Sequence, residues 1–420
     1  MSVQLPGSRT ISTCIVGMPM STKIAGEKST QDLEKLLSQP LEKIQRWESN
    51  RYDELAGAFS KSLVLYGAGG LGRKTLKGLK TLGITPLAFT DNNPNLHGRL
   101  IEGVTVMSAQ EAAKEFGESA VFLVTVYTDS APGEIDLIIK KLSDLGCKKV
   151  IPFGPLFWKH PEQFLPHYAY DLPHKVIEAA DSILKTWALL EDDISQNEYL
   201  AQIQWRLNPE YSQIPAQANH DIYFPPELIT LIENEVFIDC GAYNGDTVRS
   251  FLKQSNGKFD KLIAFEPDPV NYEKLVELAA LLPQDTARRI QTSDFALGSR
   301  SEKLYFDALG VASSSLSING SIQIQSEPLD KLLVNEMPTY IKMDIEGAEV
   351  DALSGASQSI RKFLPILAVS VYHHQDHIWT IPLMIHALSK EYKFYLRRYT
   401  PHVLDDLVLY AIPKSREPAR

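Results

Sequence analysis

The sequence is short of cysteine and has no long apolar run. Its three cysteines, Cys14, Cys147 and Cys240, lie far apart and lack the spacing of a metal site. This argues against a disulfide framework and favours free thiols in a reducing compartment. No apolar stretch approaches the roughly 18–20 residues that a membrane-spanning helix needs, and Ile11–Met20 is too interrupted for a signal peptide. We therefore expect a cytoplasmic protein without a membrane span.

Basic residues are also too few and too scattered for a nucleic-acid surface. The chain has 42 Lys and Arg against 52 Asp and Glu, a net charge of −10, so we expect no nucleic-acid partner. With 44% hydrophobic and 22% charged residues among 420, the composition is that of a globular protein of two or three domains. The sequence does not fix the oligomeric state, and a homo-oligomer is compatible with it.

The distribution of apolar segments and turns divides the chain into four parts. Residues 1–30 are rich in Ser, Thr, Gly and Pro and predict a disordered tail. Residues 31–155 predict a helix over 31–60 followed by a small Rossmann-like α/β domain. Residues 156–222 predict a helical connector that packs on both neighbours, with helices over 176–190 and 198–207. Residues 223–420 form a second and larger α/β domain.

A glycine-rich turn marks the smaller domain. Gly67-Ala-Gly-Gly-Leu-Gly72 follows a predicted buried strand, and Asp91 follows the next strand. This spacing satisfies the dinucleotide-binding pattern. Two interpretations remain open: a domain that binds a nucleotide or nucleotide-sugar, and a structural or partner-binding domain that keeps the turn for packing.

Strands and helices alternate again in the larger domain. The last two strands are close together in sequence, so they must pair antiparallel. A mostly parallel sheet with a terminal antiparallel hairpin is typical of class I methyltransferases. The predicted strands are Val236–Cys240, Leu262–Phe265, Thr292–Leu297, Lys303–Asp307, Tyr340–Ile345, Ile366–Tyr372, Lys393–Tyr399 and Leu407–Ile412.

Two consecutive strand ends of this domain carry the pattern of a nucleotide site. The first ends in Asp239 and a turn from Gly241 to Gly245, and the second ends in Glu266. Glycines let the backbone approach a ligand closely, and a carboxylate can accept both ribose hydroxyls. Because the loop reads Gly-x-x-x-Gly rather than Gly-x-Gly-x-x-Gly, the pattern favours S-adenosylmethionine over a nicotinamide cofactor.

Five motifs in order resemble the FkbM family of S-adenosylmethionine-dependent methyltransferases over roughly residues 223–413. The resemblance implies methyl transfer to a hydroxyl of a sugar, polyketide or related secondary metabolite, with a small-molecule or glycan acceptor. The motifs are Phe237-Ile-Asp-Cys-Gly-Ala-Tyr-Asn-Gly-Asp-Thr247, Ala264-Phe-Glu-Pro-Asp268, Ala296-Leu-Gly298, Leu329-Asp330 and Ile341-Lys-Met-Asp-Ile-Glu-Gly-Ala-Glu349.

Cofactor roles follow from the chemistry of the side chains at these strand ends. We expect Asp239 to hold the methionine ammonium, and the loop and helix start to hold its carboxylate. Glu266 suits the ribose, Asp294 the adenine amino group, and Phe295 the face of the adenine ring. The cofactor-binding residues predicted at the loop and helix start are Gly241, Tyr243, Gly245, Asp246 and Thr247.

The fourth and fifth strands supply the catalytic candidates. Lys342, Asp344 and Glu346 alternate and share one side of the strand or its exit; Asp344 and Glu346 are expected to contact the donor. Asp344 and His373, chosen over His374, are the candidates to take the acceptor's proton.

As an alternative, the side chains at these two strand ends suit a divalent metal ion. The sequence does not show whether a metal binds there. The candidate ligands are Asp344, Glu346, His373, His374, Asp376 and His377.

Two rival functions remain at this point. One is an NAD-dependent or nucleotide-sugar-binding enzyme that acts through its N-terminal domain, and the other is a non-catalytic scaffold in polysaccharide assembly. The retention of Asp239, Glu266 and Asp344 together argues against the scaffold. The acceptor-shaping loops carry no decodable motif, and Val311–Leu316 is interpreted as a mobile lid or an ordinary surface loop.

Overall fold

The computed structural model describes most of the chain. The predicted tail over residues 1–21 and most of the loop Val311–Leu316 lie outside the described part. The described ranges are 22–126, 134–209, 217–218, 221–307, 315–316, 322–400 and 406–417.

Helices and strands alternate through most of the described ranges, and no helix within them has both the length and the apolar character needed to cross a bilayer. The helices are α1 Thr22–Leu37, α2 Leu41–Ala56, α3 Gly70–Thr81, α4 Ala109–Phe116, α5 Glu134–Asp144, α6 Gly154–Lys159, α7 Pro161–Phe164, α8 His174–Glu178, α9 Ala180–Trp187, α10 Asp193–Leu207, α11 Asp246–Gln254, α12 Pro269–Leu281, α13 Gln284–Ala287, α14 Leu329–Leu332, α15 Glu349–Gly355, α16 Ser357–Phe363 and α17 His377–Leu388. The strands are β1 Leu63–Tyr66, β2 Ala88–Thr90, β3 Leu100–Ile101, β4 Val104–Met107, β5 Val121–Val124, β6 Lys149–Pro152, β7 Val236–Cys240, β8 Lys261–Phe265, β9 Ile290–Ser293, β10 Ala296–Leu297, β11 Glu302–Asp307, β12 Ser315–Leu316, β13 Ile322–Glu327, β14 Tyr340–Met343, β15 Ile366–Ser370, β16 Tyr392–Arg398 and β17 Leu407–Pro413.

The N-terminal helical region differs from its prediction. A single helix was expected over residues 31–60, but the chain forms α1 and α2 with a break before Pro40. Proline lacks an N–H and disfavours a helical residue before it, so the break falls there. Helix α1 begins at Thr22, within the stretch predicted to be a tail, and its Leu33 and Leu37 are buried in a core shared with the larger domain. Tertiary packing therefore stabilises a helix that local composition does not favour.

The smaller α/β unit has a sheet in the order β3-β4-β2-β1-β5-β6. All neighbours are parallel except β3 and β4. This confirms a Rossmann-like unit. The sequence prediction missed β3 and β4, which are only two and four residues long and are separated by Glu102-Gly103.

The glycine-rich turn of this unit is held by its own packing. Gly67 has a φ of +105°, and a Cβ on Gly72 would lie 1.9 Å from the Gly67 carbonyl oxygen. Asp91 accepts the Ala68 N–H at 2.8 Å. A Cβ on Gly70, in contrast, would meet nothing within 4 Å. Part of the glycine pattern is therefore explained by close contact within the protein.

We predict that Gly72→Ala lowers the free energy of unfolding by about 1–3 kcal/mol, because its methyl group would overlap the Gly67 carbonyl. Gly70→Ala is the matched control and should be neutral or stabilising by up to about 1 kcal/mol, since alanine favours the helix. Urea unfolding of the full chain measures both. Equal stability of the two variants would contradict a packing role for Gly72.

The larger unit has a seven-stranded sheet in the order β16-β17-β15-β14-β7-β8-β9. The five strands from β15 to β9 are parallel, and β17 pairs antiparallel with both β15 and β16. This confirms the mostly parallel sheet with an antiparallel hairpin at one edge. Its parallel strands all end at one edge, where ligands bind in sheets of this type.

One predicted strand of this unit is wrong. The stretch Thr292–Leu297 divides at Asp294: β9 completes the large sheet, whereas β10 joins a separate sheet in the order β10-β13-β11-β12. The strand β13 was missed, although Ile322 and Ile324 alternate with glutamines as in a strand with one buried face. Residue 294 thus lies at a switch between sheets rather than inside a strand.

The connector contacts both units. Helix α10 lies along β16, where Arg398 pairs with Glu198 at 3.0 Å and Arg397 pairs with Asp192 at 2.7 Å. At the other end of α10, Trp205 is buried in the core of the N-terminal unit. The predicted helix 176–190 is divided at Ala179 into α8 and α9.

Candidate active site

A cavity of about 520 Å³ opens at the carboxyl edge of the seven-stranded sheet, within the usual range for small-molecule sites. The ends of β7, β8 and β14 form its floor. Its lining residues are Asp221, Ile222, Tyr223, Gly241, Tyr243, Asp246, Thr247, Ser250, Glu266, Pro267, Asn271, Ala296, Leu297, Ile324, Lys342, Asp344, Ile345, Glu346, Ala348, Tyr372 and Asp406.

The loop after β7 is shaped by two glycines with positive φ. Gly241 has a φ of +81°, and its Cβ would lie 1.9 Å from the Asp344 carbonyl oxygen. Gly245 has a φ of +82°, and its Cβ would lie 2.3 Å from Leu278 of α12. Glycine suits the left-handed conformation at both positions, and at Gly241 it alone also fits the space beside a backbone carbonyl. The loop is therefore pressed against β14 on one side and α12 on the other, and it delivers the start of α11 to the cavity.

Glu266 fixes the rim at the end of β8. It is 7% exposed, and its two oxygens accept the N–H groups of Tyr243 at 2.8 Å and Asp268 at 2.9 Å. Burial raises the pKa of this carboxyl, an effect that the backbone N–H groups oppose. Each carboxylate oxygen has a second lone pair, so Glu266 can still accept bonds from a ligand.

Asp239 does not line the cavity. It is fully buried, and its Oδ1 pairs with Lys342 Nζ at 3.1 Å. Burial raises the pKa of Asp239 to about 6 against the influence of Lys342. The neighbouring carboxylates, Asp239 first, raise the pKa of Lys342 although burial opposes them. Both groups are charged at neutral pH, and Asp239 is placed to support the loop rather than to contact a ligand.

Lys342 ties the fourth strand to the loop after the first. Its Nζ donates to the Gly241 carbonyl at 2.5 Å and to the Cys240 carbonyl at 3.3 Å. It also lies 5.2 Å from the centre of the Tyr223 ring. One buried cation therefore joins β7, β14 and the segment before β7.

We predict that Lys342→Met lowers the free energy of unfolding by about 3–5 kcal/mol, because it leaves Asp239 buried without its cation. Adding Asp239→Leu should recover much of the loss, since the orphaned charge is then removed. Urea denaturation of the two variants and the parent measures this. No recovery in the double variant would mean that the lysine acts through its carbonyl contacts alone.

Asp344 is the carboxylate at the centre of the cavity floor. Its Oδ2 accepts the Tyr223 hydroxyl at 2.6 Å, and its Oδ1 lies 3.4 Å from the Tyr372 hydroxyl. Tyr223 is held by its own backbone, whose N–H donates to the Tyr410 hydroxyl and whose carbonyl accepts from Tyr340. Sequence reasoning missed Tyr223. Its one local signal is its place in Tyr223-Phe-Pro-Pro226, at the start of the larger domain.

His373 lies behind Asp344 and outside the cavity lining. Its Nδ1 contacts Glu349 Oε1 at 2.8 Å, and its Nε2 lies 3.4 Å from Asp344 Oδ1 and 3.8 Å from Glu346 Oε2. Burial acts to lower the pKa of His373, but Glu349, Asp344 and Glu346 outweigh it and raise the pKa to about 9. A buried imidazole facing three carboxylates is poorly placed to take a proton from an acceptor.

The remaining predicted residues divide between the cavity and its surroundings. Tyr243, Asp246, Thr247 and Glu346 line it. Asp294 is exposed at the end of β9 and Phe295 packs against the core, so neither reaches the cavity wall. Ala296, Leu297 and Ile324 occupy that side instead, because the chain changes sheets after Asp294.

The two histidines that follow His373 in the motif, His374 and His377, do not line the cavity. His374 and Asp376 line a second groove with Asp171 and Lys175, and His377 lies beneath Glu349 at 3.3 Å. Among the described residues, the group with atoms close enough to share a metal ion is Asp344, Glu349 and His373, whose ligand atoms lie within 4.8 Å of one another.

Comparison with known proteins identifies the larger unit. The model of the methyltransferase FkbM domain matches residues 239–399. The chain contains an FkbM methyltransferase domain. The protein is therefore a methyltransferase, and the resemblance found in its motifs is confirmed.

The crystal structure of methyltransferase FkbM from Methylobacillus flagellatus KT has a similar fold. The TM-score is 0.72 at 22% identity, over 92% of this chain and 99% of that one. The similarity in fold therefore includes the N-terminal unit.

Two more distant structures match only parts of the chain and carry no argument. A putative rRNA-methylase from Clostridium thermocellum matches with a TM-score of 0.29 at 9% identity, over 43% of this chain and 86% of its own. UDP-D-quinovosamine 4-dehydrogenase from Vibrio fischeri matches with a TM-score of 0.20 at 23% identity, over 22% of this chain and 76% of its own. No curated protein matches the sequence.

Proposed function

We propose that this FkbM methyltransferase transfers the methyl group of S-adenosylmethionine to a hydroxyl of a sugar, glycan or related secondary metabolite. The observation that carries the proposal is that the glycine-lined loop, Glu266 and Asp344 all line the same cavity. The loop that we assign to the donor and the carboxylate that we assign to the acceptor therefore border one pocket.

The residues present fit the donor. Glu266 keeps lone pairs directed at the cavity and suits a ribose diol, since charge-assisted hydrogen bonds to a carboxylate are strong. The N-terminus of α11 has Gly245 at its cap position and no capping side chain, and such a helix end favours the methionine carboxylate. Ala296, Leu297 and Ile324 offer an apolar surface for the adenine ring.

The acceptor class follows from the polarity of the cavity. Its lining includes the carboxylates Asp221, Asp246, Asp344 and Glu346, whereas Lys342 is the one basic residue among the described residues of that lining and is paired with Asp239. Carboxylates and phenols bind hydroxyl groups well, and the carboxylates repel phosphates and other carboxylates. A neutral, hydroxyl-rich acceptor therefore fits better than an anionic one.

Asp344 is the residue we assign to the acceptor hydroxyl. Tyr223 holds one of its oxygens, so the carboxylate has a fixed orientation toward the cavity. It accepts a hydrogen bond from the hydroxyl, aligns that oxygen and receives its proton. The donor, when bound, supplies an already reactive methyl group, so the protein contributes chiefly proximity and alignment.

Replacing Glu266 tests the donor site. We expect Glu266→Gln to weaken binding of S-adenosylmethionine by about 1–3 kcal/mol, because charge-assisted bonds to the ribose are lost. Asp294→Asn is the matched control at the next strand end and should leave the affinity unchanged, since Asp294 lies outside the cavity wall. Isothermal titration calorimetry measures both, and a stronger effect at Asp294 would restore the adenine role that the sequence suggested.

Replacing Asp344 tests the acceptor site. We expect Asp344→Asn to reduce methyl transfer by about 100-fold or more, the usual range for loss of a proton-accepting side chain, while donor affinity changes little. The measurement is formation of S-adenosylhomocysteine with a panel of neutral glycans and with phosphorylated or acidic sugars. Turnover confined to the acidic acceptors would contradict the proposed class.

A further inference from the structure

We propose that Asp344 and His373 bind one divalent cation at the floor of the cavity, that Glu346, whose carboxylate lies 3.8 Å from the imidazole, turns toward the ion as a third ligand, and that Glu349 orients the histidine for it. The inference rests on the proposed function only for the role of the ion. The site itself stands on the geometry of these four side chains.

The imidazole of His373 is oriented as in carboxylate–histidine–metal arrangements. Its Nδ1 contacts Glu349 Oε1 at 2.8 Å, and that oxygen also accepts the N–H of Ile345 at 2.9 Å. Glu349 is fully buried, so it holds the ring rigidly with Nδ1 as the donor. A metal-binding histidine usually donates its second nitrogen to such a carboxylate, which leaves Nε2 as the ligand once the ion displaces the proton on it.

The Nε2 atom of His373 is buried and makes no hydrogen bond in the described part of the chain. It is directed at two carboxylates, Asp344 Oδ1 at 3.4 Å and Glu346 Oε2 at 3.8 Å. Both distances exceed the usual 2.7–3.2 Å of a nitrogen–oxygen hydrogen bond. Two ligands about 2.1 Å from one ion and separated by a tetrahedral angle lie roughly 3.4 Å apart, so the spacing fits a shared ion better than a direct bond.

The surrounding charge also favours a cation. Asp344, Glu346 and Glu349 lie around the imidazole of His373, which is 3% exposed. A second imidazole, His377, contacts Glu349 at 3.3 Å, and the lysine of β14, Lys342, is paired with Asp239. Buried charges are stable only when they are compensated. A divalent ion would neutralise the two carboxylates that face the cavity.

The ligands select the class of ion. One imidazole nitrogen and two carboxylate oxygens are borderline ligands, which suit first-row ions such as Mn²⁺, Fe²⁺ and Zn²⁺ better than Ca²⁺. Asp344 and Glu346 both line the cavity, so water or an acceptor hydroxyl could complete the coordination. Mn²⁺ is the probe of choice because its binding is read directly by electron paramagnetic resonance.

The ion would act on the acceptor oxygen. Coordination lowers the pKa of a bound hydroxyl, and its proton passes to water at the cavity mouth. The oxygen then forms a bond to the methyl carbon as the carbon–sulfur bond breaks and the sulfur leaves as a neutral thioether. The ion changes the role of Asp344 at this one point: without the ion Asp344 receives the proton, and with the ion bound it holds the ion and aligns the oxygen while the proton goes to water.

The test is a Mn²⁺ titration of the full chain after removal of metals with a chelator. We expect one ion per chain, and at least about 10-fold weaker binding in Asp344→Asn and His373→Gln. Glu349→Gln should also weaken binding through the orientation of His373. The controls are His374→Gln and Asp376→Asn, which lie in the same motif but face the other groove and should bind Mn²⁺ like the parent.

Circular dichroism identifies variants that fail to fold. If His373→Gln is one of them, Asp344→Asn still tests the site, because Asp344 is partly exposed and its replacement is tolerated more easily. Absence of Mn²⁺ binding in the parent, or loss of binding in the controls but not in Asp344→Asn, would overturn the site. Calorimetry with S-adenosylmethionine in chelator is run on the same samples. Donor binding without Mn²⁺ binding refutes the metal site alone, whereas Mn²⁺ binding without donor binding refutes the proposed function alone.

Discussion

The arrangement of the active site depends on one buried ion pair, between Lys342 of β14 and Asp239 of β7. The lysine also bonds to two carbonyls of the loop after β7, so a single charge fixes how two adjacent strand ends meet. Breaking such a pair is costly because the remaining charge cannot reach water. The glycine loop and Asp344 therefore keep a constant distance, which a donor and an acceptor need if they are to react.

A second network extends from this pair to the edge of the cavity. Tyr223 packs over Lys342 and donates to Asp344, and Asp344 in turn faces His373 and Glu349. The residues come from the segment before β7, the exits of β14 and β15, and the start of α15. Because every member except the partly exposed Asp344 is buried, each restricts the next, and the carboxylate in the cavity is held in one orientation.

The two glycine-rich turns of the chain show how one sequence pattern serves different purposes. In the N-terminal unit, Gly72 is required because its Cβ would meet the Gly67 carbonyl, and Asp91 bonds to the turn itself. In the methyltransferase domain, Gly241 allows close contact with β14 while the loop borders a cavity. The first turn satisfies the dinucleotide pattern more fully, yet packing within the protein accounts for two of its glycines.

The sequence by itself determined the α/β class, the antiparallel hairpin, the methyltransferase family and the positions of Gly241, Glu266 and Asp344 on one rim. These follow from local patterns, since strand ends in a parallel sheet share an edge. Only the tertiary structure decided that Asp239 faces Lys342, that Asp294 and Phe295 are outside the cavity wall, and that Tyr223 reaches Asp344 across 121 residues. The direction of a strand-end side chain depends on which neighbour can neutralise its charge, and that neighbour is set by long-range packing rather than by adjacent residues.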